Sequence, residues 1–117
     1  MSEFVEYLHE IFEPFGAIRS RKMFGGYGIY HKDLMFGLVA DDALFLKVDK
    51  ESIGHFQERG QQPFEYDKNG KVIEMSYYTA PEDIYDDPEE ASRWAWMAYD
   101  AAVRANKKSR KKPKKNQ

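Results

Sequence analysis

Arg19, Arg21 and Lys22 stand just ahead of a glycine-rich run, Phe24-Gly25-Gly26-Tyr27-Gly28. A short cationic cluster of this kind can hold carboxylates or phosphate through charge-assisted hydrogen bonds. It can equally be a solvated connector that balances nearby acids. The glycines do not spell G-x-G-x-x-G or G-x-x-x-x-G-K-[ST]. They also follow a predicted helix and open a predicted strand, the reverse of a phosphate loop, where a helix N-terminus meets the phosphate. They read instead as a bend or bulge at the start of a sheet, where a missing Cβ allows close backbone approach. Arg19, Arg21, Lys22, Phe24, Gly25 and Gly26 are accordingly the candidate partner-binding residues.

Other chemistries find less support. His9, His31 and His55 are the only histidines. They lack the spacing that would converge ligands on a metal, and His9 reads as a rim histidine on a helix flank. Asp41-Asp42 and Asp86-Asp87 are paired carboxylates, but at turn and cap positions, where aspartate is favoured for local hydrogen bonding. The serines form no nucleophile elbow. There is no cysteine, so no disulfide or thiolate site exists. No catalytic residue, metal ligand or cofactor is assigned, and a non-enzymatic role is expected.

Charge is unevenly distributed. The net charge is −2, yet residues 107–115 carry seven Lys and Arg and no acid, which leaves −9 for residues 1–106. Lys107, Lys108, Arg110, Lys111, Lys112, Lys114 and Lys115 form a candidate nucleic-acid tail acting through counterion release. Without interleaved aromatics it carries no sign of base stacking, and a disordered, solubilising terminus is the competing reading. The acidity of the rest argues against DNA on a sheet face, because its field repels phosphate.

The elements that position these residues follow from periodicity. Ser2 is an N-cap for a helix over about residues 3–14, whose face is Phe4, Val5, Leu8, Ile11, Phe12 and Phe15. Residues 17–22 read as a connector. Strands are expected over 27–30, 34–40 and 43–48, joined by tight turns and hence antiparallel. Asp49 is expected to cap a short helix that Gly60 stops. Residues 64–66 and 71–78 flank Asn69-Gly70, a type I′ hairpin signal. Asp87, Pro88 and Glu90 form a capping box for the last helix, with Ala91, Trp94, Ala95, Ala98, Ala101 and Ala102 on its buried face. Trp96 projects about 200° away from Trp94 at 100° per residue. The reading is a two-layer α+β domain, an antiparallel five-stranded sheet in the order α-β-β-β-α-β-β-α. It spans residues 1–106, with 107–117 as a disordered basic tail.

Several of these segments resemble one known family in order. Arg21 to Tyr30 (RKMFGGYGIY) is similar to the N-terminal domain of the TfoX/Sxy family, bacterial regulators of natural competence. Leu34 to Asp49 (LMFGLVADDALFLKVD) resembles its next two strands. Pro63-Phe64-Glu65-Tyr66 and Met75-Ser76-Tyr77-Tyr78 resemble its last two. The similarity covers about Phe12 to Trp96. It implies the same α+β fold and a transcriptional co-regulator acting through a protein partner, by resemblance a cyclic-AMP receptor protein-type factor. Full-length members carry a second, helical domain, so the chain reads as a stand-alone form. A cytoplasmic location is expected, since the N-terminus lacks a signal-peptide pattern and no apolar run approaches the ~20 residues that span a bilayer. Direct, non-specific DNA binding through the tail is the alternative function, and a homodimer through a sheet edge or the Trp96 side is left open.

Overall fold

Ser2 accepts a hydrogen bond from the Val5 amide at 3.1 Å and starts the first helix, α1, Glu3–Ile11. In the computed structural model, which describes residues 2–23 and 25–111 with side chains as far as Lys107, a four-stranded meander follows. Its strands are β1 (Arg19–Met23), β2 (Gly26–His31), β3 (Leu34–Ala40) and β4 (Ala43–Lys47). A short helix α2 (Ile53–Glu58) leads to the hairpin β5 (Pro63–Lys68) and β6 (Lys71–Thr79). A 3-10 turn over Glu82–Tyr85 precedes the long helix α3, Pro88–Lys111. The six strands form one antiparallel sheet in the order β1-β2-β3-β4-β6-β5.

The α+β class and the antiparallel sheet follow the sequence reading, but the strand count is six, not five. The expected connector over residues 17–22 contains β1, which pairs with β2 from Arg19↔Tyr30 to Met23↔Gly26. Its charged residues conceal it. A strand on a sheet edge need bury little, and lysine and arginine there discourage edge-to-edge pairing.

The helices cover one face of the sheet. Val5, Leu8, Ile11 and Phe12 of α1 join Ile29, Phe36, Leu44 and Leu46 of the strands and Ala91, Trp94, Ala95 and Ala98 of α3 in one buried core. Both predicted helix faces are therefore correct. The alanines allow α3 to lie close to the sheet, and Trp94, 1% exposed, fills the space beside Phe56, whose ring is 4.9 Å away. Each fully buried side chain of this size contributes roughly 1.5–3 kcal/mol of transfer free energy. Trp96 is 44% exposed yet not isolated, with its ring against Phe15 at 5.0 Å and Tyr99 at 5.8 Å.

Turn chemistry largely matches expectation. Asn69 and Gly70 have φ of 54° and 82°, as a type I′ turn requires. Lys32-Asp33 and Asp41-Asp42 also hold positive φ, so the first acid pair serves a hairpin. Two caps differ. Asp87 does cap α3, accepting from the Glu89 amide at 3.0 Å, but Glu90 does not reach back to complete a capping box. Its carboxylate goes to the Trp94 indole N–H at 3.2 Å and to Arg93 instead, because fixing a buried tryptophan's donor is the better use of that acceptor. Asp49 sits ahead of α2 and accepts from the Glu51 and Ser52 amides, while the helix itself begins only at Ile53.

Asp49 has a second task. Arg104 of α3 donates Nε and Nη2 to its two oxygens at 2.6 and 3.0 Å, tying α3 to the β4–α2 turn. The Arg104 hydrogen bonds hold the Asp49 carboxyl below its ordinary value of 3.8 against the opposing effect of burial. The stabilisation is present above that ordinary value and is lost as pH falls through the lowered one. Asp49→Asn is expected to cost about 1–2 kcal/mol near neutrality, allowing for the partial exposure of the pair. Urea titrations of both proteins from pH 7 to pH 2 should show that difference shrinking only below about pH 4.

Candidate functional site

β1 places the cationic cluster on an edge strand that has β2 as its one neighbour in the sheet. Strand alternation sends Arg19, Arg21 and Met23 to the face away from the helices, and Lys22 to the other. Arg19, Arg21 and Lys22 are all exposed. Arg19 is committed locally, with Nη2 3.1 Å from Asp33 and its guanidinium 5.6 Å from the Tyr30 ring centroid. Both partners of that ion pair are largely solvated, so it adds little stability. Arg21 and Lys22 make no ion pair among the described residues.

Arg19 and Arg21 also border a cleft of about 330 Å³ with His9, Ile18, Ser20 and Tyr30. His9 is half-buried, as a rim histidine should be. Its Nε2 is occluded and finds no hydrogen-bond partner among the described residues, and a buried polar atom left in that state is costly. His31, by contrast, is buried and satisfied. Its Nδ1 donates to the Ala17 carbonyl at 2.7 Å, and its ring lies 4.6 Å from Phe15.

The glycines take the structural role expected of them. Gly25 occupies the β1–β2 turn with φ of 78°. A Cβ on Gly26 would lie 2.0 Å from the Val39 carbonyl oxygen, so the third strand's backbone excludes any side chain there. Phe24 lies outside the described residues. Of the basic tail, Lys107 is an exposed residue of α3, and the backbone of Lys108, Arg110 and Lys111 continues that helix. Lys112, Lys114 and Lys115 lie outside the described residues.

Net charge did not reveal how charge is sorted across the sheet. The face without helices carries Arg19, Arg21, Lys47, Lys68 and Lys71, and no strand contributes a carboxylate to it. The strand acids Glu65, Asp67 and Glu74 alternate to the opposite side. The strand side chains of this face are thus basic although the body as a whole is acidic. Lys47 lies 5.2 Å from the Tyr77 ring centroid, and burial lowers its pKa more than nearby Asp49 raises it. Burial, with Tyr30 in second place, pushes the Tyr77 phenol up to about 12. The alternation Phe64-Glu65-Tyr66-Asp67-Lys68 is the sequence signal that separates these charges. Among the described residues no three or more acids and histidines cluster as metal ligands, and no helix is long and apolar enough to cross a membrane.

Comparison with known proteins places the cluster and the sheet within one alignment. The TfoX N-terminal domain family matches residues 10–102. "DNA transformation protein TfoX1" of Aliivibrio fischeri is 30% identical over 82 residues, covering 70% of this chain and 39% of that protein. "Protein Sxy" of Escherichia coli is 25% identical over 95 residues, covering 81% of this chain and 46% of that protein. The chain therefore spans less than half the length of these curated relatives.

The neighbouring glycines separate two kinds of cost. Gly26→Ala should destabilise by about 2 kcal/mol or more through overlap with backbone. Gly25→Ala, with nothing within 4 Å of its Cβ, should cost only the roughly 1 kcal/mol of positive φ. Thermal or urea unfolding of the two variants measures the difference.

Proposed function

The chain belongs to the TfoX N-terminal domain family, and from that premise we propose that it is a non-enzymatic regulatory module that holds a protein partner at the basic edge strand β1. The observation that carries this is the pair Arg21 and Lys22, exposed on a sheet edge without a counter-charge among the described residues. Cations in that state break no ion pair of the described residues when they engage carboxylates, and their field speeds encounter with an acidic surface. An acidic extended segment adds a second mode, since its carboxylates would offset the cations that otherwise discourage pairing and let it join β1 as a further strand. One of the relatives is named for DNA transformation, and the family's competence regulators suggest a transcription factor of the cyclic-AMP receptor protein type as the first partner to try.

Arg21→Glu combined with Lys22→Glu should weaken capture of the purified cyclic-AMP receptor protein from the same organism by about tenfold or more. The fold should be retained, because neither side chain is in the core. Undiminished capture would show that β1 is not the contact surface.

A second reading rests on the basic run that begins on the exposed end of α3 at Lys107. It is direct, sequence-blind DNA binding. Changing the seven Lys and Arg of residues 107–115 to Gln should abolish DNA affinity and its salt dependence, which otherwise runs at about −0.9 in log–log slope per neutralised phosphate. Equal DNA retention by the neutralised protein excludes the tail.

A further inference from the structure

The sheet face that the helices leave open is not flat. β6 pairs with β4 only from Phe45↔Thr79 to Lys47↔Tyr77, with two flanking bonds, from the Val48 amide to the Ser76 carbonyl and from the Ala80 amide to the Leu44 carbonyl. The rest of the β5–β6 hairpin projects beyond β4 as an arm. Between that arm and the far strands runs a trough of about 580 Å³. Met23, Met35 and Leu38 line one wall, and Phe64, Tyr66 and Met75 the other. Gly28 makes the first wall adaptable. A Cβ there would lie 2.8 Å from the Met23 sulfur and 3.0 Å from that of Met35, so both thioethers lie over the position its side chain would fill. Methionine side chains are flexible and polarisable, and they mould to irregular apolar shapes.

The one charged side chain among the residues that line this trough is basic. Lys68 lines it and stands directly opposite Lys71 in the hairpin register. Like charges at opposed positions repel, and neither lysine has an ion-pair partner among the described residues. The hairpin's own acids, Glu65, Asp67 and Glu74, are on its other side. A repulsive lysine pair beside an apolar trough is relieved by a bound anion whose body is apolar. The volume lies in the range of small-molecule sites, about 300–1,000 Å³, and the lining is largely apolar with one charged group, as such sites are.

We propose that this trough is a binding site for an anionic amphiphile, an apolar chain ending in a carboxylate, with the chain against the methionines and Phe64 and the head group at Lys68 and Lys71. It is separate from the Arg21–Lys22 contact and does not rest on it.

The test uses the full chain with labelled methionine methyl groups and laurate as the probe, with dodecanol and dodecyltrimethylammonium as neutral and cationic counterparts. Calorimetry should show saturable laurate binding. The methyl resonances of Met23, Met35 and Met75 should shift, while that of Met97 on α3, across the sheet, should not. Lys68→Glu with Lys71→Glu, remote from the core, should weaken laurate by about tenfold and leave dodecanol unchanged. Phe64→Ala should weaken both chains, with circular dichroism checking that the fold persists. The absence of saturable laurate binding up to about 100 μM overturns the proposal. So does equal affinity for the cationic counterpart, or a general shift that includes Met97. If a single-stranded oligonucleotide or a second copy of the chain moves the three trough methyls and laurate does not, the site belongs to that occupant instead.

Discussion

Close packing of an alanine-rich helix on one side of an antiparallel sheet governs the rest of this molecule. Ala91, Ala95 and Ala98 are fully buried and bring α3 near the strands, which leaves room for Trp94 and Phe56 to fill the layer between them. α1 then completes the same layer through Phe12 and Phe15, whose rings lie 5.8 and 5.3 Å from Phe36. Since β-strand side chains alternate, covering one face decides the fate of the other. All the helices lie against one side, so the opposite side remains open with its own apolar residues partly uncovered.

That asymmetry sorts charge as well as hydrophobicity. The strand carboxylates are confined to β5 and β6 and point away from the open face, while five cations point onto it. An average of −2 for the chain therefore describes neither side. The cationic side is bounded at one edge by β1, with Arg21 and Lys22, and at the other by a hairpin arm ending in Lys68 and Lys71. These two edges have different characters. β1 offers charge and a strand edge, which suit a protein segment, whereas the arm offers a concave apolar wall, which suits a small molecule. The ties that hold the frame steady lie elsewhere. Arg104 with Asp49 fastens the long helix, and the Tyr7 hydroxyl donates to the Tyr85 carbonyl at 2.5 Å to fasten the first.

Legibility in the sequence followed the strength of the local signal. Both amphipathic helices were readable, because a 3.6-residue repeat of Val, Leu, Ile and Phe or of Ala and Trp has few competing explanations. The Asn69-Gly70 hairpin was readable because positive φ at both positions selects those residues. β1 was not. Arg19-Ser20-Arg21-Lys22 shows no apolar alternation, and only its pairing with β2 makes it a strand. The capping box failed for a related reason. The spacing of Asp87 and Glu90 fits it, but Trp94, one turn further on, competes for the same carboxylate once its indole is buried.

By itself the amino-acid sequence determined the α+β class, the two helix faces, the tight antiparallel turns and the family resemblance. All of these depend on neighbours within a few residues or on motif order. It also placed the basic cluster, since Arg19, Arg21 and Lys22 fall within four consecutive residues. Only the tertiary structure decided that this cluster lies on a sheet edge, that the open face is basic within an acidic chain, and that Met23, Met35 and Met75 meet across one trough. Strand alternation assigns residues to two sides, but which side is covered depends on where distant helices pack. Residues 23 and 75 become neighbours only when a six-stranded sheet closes the distance between them.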